Sequence, residues 1–551
     1  MKPMIQDACS GSLPQSEGAP KRPATHAVGK ALFCIAAVLF VVTAAILVIL
    51  SGWYTARFNH WYSELVTLIS WRTRFAAMLV GFCAFIALSA LSLAVCRRAS
   101  RLDERLVLTA VLVITTFVGM WIVLSARTGA HEFPDAESLI AYASDAACGH
   151  WDTFIPGAEP FSPSVPSAYV YFTWYPYQIG CFLYFLMVFR ACGAGNVLAL
   201  EIINVIANEV TIAALTGTSW CASDSKACRV LMPVLLGMSL PLHLSAAFPY
   251  GNALGLSLAC VFLYLQARAI KEAGVKRSMV FQLISLVALA AALVVKSTYI
   301  LIAIGACAAW IVFALRDGRW PGLVAVVAVV LVAHAVAGLP IRAFENSVGQ
   351  DYGEGFPTID WFEIGLTESS ALEGQAGWWD DAAITGWNET GGDIAAQRDR
   401  AERSVSERLS RFADDPRYAF DFFRLKIATE WTEPTYQTVM YYGNNMDVQG
   451  NQTDVSWLVK PEISAYLKGF QLLIYIGALV EAANVFRRRE QSPADVAFML
   501  YCCIDAGFAC YVIWEAKSAY VLAFAILLIP LTAAGIASVE ERLCSRTMRA
   551  D

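Results

Sequence analysis

Residues 105–142 read RLVLTAVLVITTFVGMWIVLSARTGAHEFPDAESLIAY. The first part, 105–125, is an apolar run long enough to cross a bilayer, which takes roughly 20 helical residues. The second part turns abruptly to His131, Glu132, Asp135 and Glu137. A greasy helix that opens onto an acidic loop predicts a membrane protein with polar chemistry at one face. Pro134 and Asp135 are followed by Leu139, Tyr142, Ala143 and Ala146, an apolar spacing that predicts an amphipathic helix. Asp135 is then expected at the mouth of that helix, just above the lipid. Two roles stay open for it. It is an N-cap, a place aspartate favours, or a general base on an acceptor hydroxyl. The same carboxylate is a possible ligand for a divalent cation such as Mg or Mn, which takes oxygen donors. Glu137 is the candidate second carboxylate, and is equally an ordinary solvated charge.

Outward from this stretch the chain repeats the same pattern. It has 551 residues, of which 57% are hydrophobic, against roughly 45–50% in soluble domains. The excess lies in runs near 31–52, 75–96, 105–125, 171–190, 197–216, 229–248, 250–268, 279–295, 298–316, 321–343, 466–486, 495–514 and 518–537. The fold class expected is an all-α polytopic membrane protein of about 13 helices. The net charge of −6 argues against nucleic acid as a partner, which needs a basic face. Of fifteen cysteines, most lie inside apolar runs, where cysteine behaves as a small hydrophobe. Cys221 and Cys228 flank a polar loop and are the one candidate pair.

Lysine and arginine set the orientation. Lys21, Arg22 and Lys30 place the N-terminus in the cytoplasm, and residues 1–30 read as a disordered tail there. Arg97, Arg98, Arg101 and Arg105 place the second short loop inside, so loop 126–170 is outside. Arg487, Arg488, Arg489, Arg542, Arg546 and Arg549 place the 486–495 loop and the tail 541–551 inside. The two ends of the chain then disagree by one crossing between 171 and 268, so one span there is broken, re-entrant or split. The domains expected are transmembrane helices over 31–343, an extracytoplasmic domain over 344–465 with mixed structure, and C-terminal transmembrane helices over 466–540. The outer domain is too long for a connector and holds Trp361, Trp378, Trp379, Trp387, Trp431 and Trp457. Within it, Ile394 to Phe412 reads as a polar helix and Asp415 to Trp431 as an amphipathic one at the membrane interface. Asn388 and Asn451 head glycosylation sequons.

Four further polar knots fall on the outer face. One is Tyr175-Pro176-Tyr177-Gln178. The second is the turn Phe248-Pro249-Tyr250-Gly251-Asn252. Lys296, where two helices meet, is the third, and reads either as a snorkelling side chain or as an anion-binding charge. The last is Glu515-Ala516-Lys517-Ser518-Ala519-Tyr520. Glu201, Glu209, Glu481 and Asp505 lie inside spans, where charge is expensive. They read as functional groups or as polar glue between helices.

The order of these features resembles the C-type (GT-C) membrane glycosyltransferases, near their mannosyltransferase-like (family 39-like) branch. It runs from the acidic loop with Asp135 through the Tyr-Pro-x-Gln-x-Gly turn, then Tyr250 and Asn252, then Lys296. A Trp-rich outer domain follows, with Lys426 and Trp431-Thr432-Glu433-Pro434, and the chain closes on Glu515 to Tyr520. The resemblance covers most of the chain from about 105 onward. It implies a polyprenyl-phosphate sugar donor, a cell-envelope glycan, lipid or protein acceptor, and inverting transfer at the outer face of the cell membrane. Asp135 is implied as base or metal-associated carboxylate, with Glu137 beside it. Tyr175, Gln178, Tyr250, Asn252, Lys296, Trp431, Glu433, Glu515, Lys517 and Tyr520 are implied to bind substrate. Two features depart from the family pattern. Two additional helices precede the acidic loop, and Ala519 stands where relatives often carry arginine, leaving Lys517 as the nearest cation. A transporter or flippase of lipid-linked saccharides is the alternative. It would favour internal repeats and broken helices at mid-membrane, and no repeat is evident.

Overall fold

The computed structural model describes residues 23–58, 64–98, 103–126, 134–163, 165–369, 375–438, 460–485 and 493–550. The N-terminal tail up to 22, His131 to Phe133, Arg487 to Arg489, Trp457 and the Asn451 sequon lie outside those residues. Helices dominate, because in lipid a backbone must satisfy its own hydrogen bonds. Eleven described helices are long and apolar enough to cross a membrane. The first three are α1 (Pro23–Trp53), α2 (Trp71–Arg97) and α3 (Glu104–Ala126). A short hairpin of β1 (Tyr54–Phe58) and β2 (Glu64–Leu68) joins α1 to α2, with Tyr54 opposite Leu68 and Phe58 opposite Glu64.

After α3 come three short helices, α4 (Pro134–Cys148), α5 (Ala168–Trp174) and α6 (Ile179–Cys192). The stretch 171–190 was expected to cross. Instead it is divided by the turn Pro176–Gln178, because proline has no N–H to continue α5. The 14 residues of α6 are too short to span. Next are α7 (Val197–Ala222), α8 (Lys226–Gly237) and α9 (Leu240–Leu244). Residues 226–237 and 240–247 form one apolar pair bent by 47°. If that pair is one crossing, the spans number 12, and the mismatch read from lysine and arginine disappears with the loss of 171–190. Cys221 and Cys228 form no disulfide with each other.

The remaining spans are α10 (Asn252–Lys271), α11 (Val275–Val295), α12 (Ile300–Asp317) and α13 (Trp320–Val348). They are followed, after a long segment of shorter helices, by α18 (Pro461–Val485), α19 (Pro493–Ile513) and α20 (Ser518–Ala550). The segment between α13 and α18 holds α14 (Thr358–Leu366), α15 (Ala382–Glu389), α16 (Ile394–Asp414) and α17 (Pro416–Thr432), with an isolated bridge between Glu368 and Ala376 among its described residues. The two helices expected there are present close to the expected boundaries. Asp393 and Asp415 cap them, each accepting two backbone N–H groups.

The last span is the hub. All of its apolar window is buried, against 22% for α2 and for α3. A helix apolar on every side belongs in the centre. Around it, helices meet through small residues, as membrane interfaces require when packing is the main attraction. A side chain on Gly535 would collide with the Gly477 carbonyl across the α18–α20 contact. Gly305 of α12 lies equally close to the backbone of Cys503 in α19. Backbone cannot move aside like a side chain. Gly305→Leu is therefore expected to destabilise the protein by about 3 kcal/mol. The check is its melting temperature in detergent beside that of Gly338→Ala, at a glycine within α13 that has open space around it.

The carboxylates inside spans act as contacts between helices. Thr43 donates to Asp505 at 3.0 Å, Thr115 to Glu209 at 2.8 Å and Ser92 to Glu540 at 2.7 Å. At the end away from the acidic loop, Asp495 pairs with Arg316 at 2.7 Å and Arg319 at 3.5 Å.

Candidate active site

Helix α4 starts at Pro134, whose fixed φ suits a first helical position. Asp135 is thus the second residue of the helix and not its cap. Leu139, Tyr142, Ala143 and Ala146 are fully buried, as their spacing predicts, and this face docks α4 on α6. The docking leaves the Asp135 carboxylate at the rim of an aromatic core. Tyr171 of α5 donates to its Oδ1 at 3.0 Å, and Tyr250 donates to its Oδ2 at 2.9 Å. The side-chain amide of Gln178 donates in turn to the Tyr250 hydroxyl. Glu137 lies half-buried on the same first turn.

Each partner is placed by a local device. Gly251 has φ +72° and lets the chain turn sharply between Tyr250 and α10. A Cβ there would press on Val295, one residue before Lys296. Asn252 opens α10, and its carbonyl accepts from the Tyr299 hydroxyl at 2.7 Å. Lys296 leaves α11 in extended backbone and sets its ammonium 3.8 Å from the centre of the Tyr250 ring. Such contact is attractive to a cation. Pro176 starts the turn that buries Gln178, while Tyr175 packs at 5.3 Å from Phe356 and 6.3 Å from Trp361.

The final knot joins from α19 and α20. Glu515 is buried and pairs with Lys517 at 3.0 Å, and Tyr520 donates to its Oε2 at 2.8 Å. A cavity of about 30 Å³, enough for one water, is lined by Asn252, Lys296, Tyr299, Tyr511 and Tyr520 and continues along Phe524.

Charge ties these groups together. Burial, and then the Asp135 carboxylate, push the Tyr171 and Tyr250 phenols upward, so both keep their protons and act as donors. Burial brings Lys296 down to about 8, against the opposing pull of Cys181, Asp135 and Glu515. Burial also disfavours the Lys517 charge, but the carboxylates of Glu515 and Asp135 outweigh it and hold Lys517 above the usual lysine range. Two carboxylates, Asp135 and Glu515, each hydrogen-bonded by phenols, therefore share a site with the ammonium groups of Lys296 and Lys517.

Trp431 and Glu433 lie in a different knot, between α17 and α18. Trp431 is fully buried, packs 5.8 Å from Phe508, and its carbonyl accepts from Gln471 and Tyr475. Glu433 accepts from the backbone of Thr435 and of Gln437, both at 2.9 Å. Neither faces the Asp135 cluster with an open surface.

Glu64, which sequence reasoning passed over, joins the two knots. It is fully buried and accepts from the Ser518 N–H at 3.1 Å and from the Ser518 hydroxyl. It anchors the β1–β2 hairpin to the first residue of α20, where helix N–H groups welcome an acceptor. An acid in a short connection between two spans was the available signal. Lys426 was named only in the family pattern. Its ammonium donates to the carbonyls of Gly365, at 2.5 Å, and of Trp514. It thereby binds α14 and α17 to the loop carrying Glu515 and Lys517.

No protein-family profile and no curated protein matches the sequence. Among solved structures, the crystal structure of the Archaeoglobus fulgidus oligosaccharyltransferase in the apo form matches with a TM-score of 0.39 and 12% identity. The match covers 80% of this chain and 52% of that one, so this chain spans about half the length of that protein.

Proposed function

We propose that this multi-pass membrane protein is a GT-C-like glycosyltransferase. It moves a sugar from a polyprenyl-phosphate donor to a cell-envelope acceptor, with inversion. The observation that carries the reading is the meeting of Asp135, Lys296 and Lys517 at one end of the spans. Asp135 takes the proton of the acceptor hydroxyl. The acceptor oxygen bonds to the anomeric carbon as the bond from that carbon to the phosphate oxygen breaks. The lipid phosphate leaves with that electron pair, and Lys296 and Lys517 face the charge that develops on it. Fixed charges aimed at developing charge are a large source of rate enhancement.

The site is extracytoplasmic in this reading, with both termini in the cytoplasm. Arg97, Arg98, Lys271, Lys276, Arg316 and Arg319 lie at helix ends on the opposite side, in accord with the positive-inside rule. Among the described residues no three His, Cys, Asp or Glu side chains converge as a metal site. Asp135 is the residue that would hold a Mg or Mn ion, and the chemistry such an ion would supply there is neutralisation of the donor's phosphate.

The test uses the full chain in lipid nanodiscs with radiolabelled polyprenyl-phosphate mannose, glucose and arabinose and a cell-envelope extract as acceptor. Transfer from at least one donor is expected. Absence of transfer from all three rejects the reading. Loss of transfer on chelation, restored by added Mg or Mn, is the result expected of the cation; full activity in chelator removes it.

A further inference from the structure

A row of half-exposed tryptophans leads away from the Asp135 cluster. Tyr175 lies 5.1 Å from Tyr171, the donor to Asp135, and 6.3 Å from Trp361. Trp361 lies 6.0 Å from Trp379 on one side and stacks at 6.1 Å on Trp514 on the other. The row therefore touches both ends of the site, since Trp514 precedes Glu515. All three indoles keep part of their surface open, unlike the buried Trp378 and Trp431.

The row is fixed by an unusual backbone. Asp381 sits at φ +60°, left-handed for a residue with a side chain. It heads α15 without capping it. Instead its carboxylate turns back and accepts from the Trp379 indole N–H at 2.6 Å. Persistent strain of this kind collects where geometry serves binding. Asp381 is exposed and Asp380 is half-exposed beside it.

We propose that this row is the acceptor platform and that the acceptor is a neutral saccharide chain. The proposal rests on the glycosyl-transfer reading for the direction in which the chain is presented. Flat aromatic faces bind the C–H faces of sugar rings, and carboxylates beside them accept from sugar hydroxyls. The same carboxylates repel a phosphorylated or otherwise anionic acceptor. They also make the row a poor bed for an acyl chain, which leaves polar groups unsatisfied. A saccharide lying from Trp379 across Trp361 brings its end to Tyr175, next to Asp135.

The experiment separates binding from transfer. The full chain in nanodiscs is titrated with mannotetraose, maltotetraose and xylotetraose, followed by tryptophan fluorescence and saturation-transfer NMR. Binding of at least one is expected, weakened roughly tenfold by Trp379→Ala and retained in Trp379→Phe and in Asp135→Asn. Asp381→Gly, which relaxes the left-handed backbone, guards against misfolding and is also expected to weaken binding. In turnover, Trp379→Ala raises the acceptor KM and leaves the donor KM unchanged. Binding by none of the three saccharides, or equal binding in Trp379→Ala and Asp381→Gly, overturns the proposal. Tryptophan-dependent binding without transfer from any donor upholds the platform and rejects the transferase reading.

Discussion

Asp135→Asn is expected to lower the rate of sugar transfer by about 10²–10⁴-fold, the range typical of a lost general base. The amide has the size of the carboxylate and cannot take a proton from an acceptor. It also turns one hydrogen-bond acceptor into a donor. Tyr171 and Tyr250 both donate to Asp135, so one of them must rotate away. Because Asp135 lies at the rim of the packed aromatic core and not within it, the melting temperature should move little. The check is kcat for transfer together with thermal unfolding of the same sample. A purely structural Asp135 gives the opposite pattern, with near-normal turnover and a clear loss of stability.

Lys296→Met is expected to cost about 10²–10³-fold in turnover, as removal of one charge-stabilising group does elsewhere. Methionine keeps the length and the contact with Tyr250 but not the charge. The protonated amine is the active form, and its folded value is about 8. Turnover should then be full below that value and fall as pH rises through it, because the proton is lost. Lys296→Arg remains charged at any working pH. Its alkaline limb is expected to disappear, even if the bulkier head lowers the plateau. The pH–rate profile of wild type, methionine and arginine variants decides the point. An alkaline limb that persists unchanged in Lys296→Arg assigns the loss to another group.

Much of this molecule was legible because membrane helices advertise themselves locally. The apolar runs other than 171–190, the amphipathic spacing after Pro134 and the capped helices starting near 394 and 416 all came through. So did the shared sidedness of Asp135, Tyr250, Lys296 and Lys517. The error at 171–190 is instructive. Composition alone made it a span, while Pro176 interrupts the backbone hydrogen bonding after α5 and leaves too short a helix behind it.

Sequence by itself determined an all-α membrane protein with its polar knots gathered on one face. Periodicity and apolar length report a residue's neighbours along the chain, and these features need nothing more. Only the tertiary structure decided which knots meet. It joined Gln178, Tyr250 and Asp135 into one hydrogen-bonded chain across 115 residues of sequence. It moved Trp431 and Glu433 into a separate buried knot, and it brought Glu64 to Ser518, 454 residues away. Such contacts depend on how distant helices pack. Packing follows the complementarity of whole surfaces, which no short stretch of sequence carries.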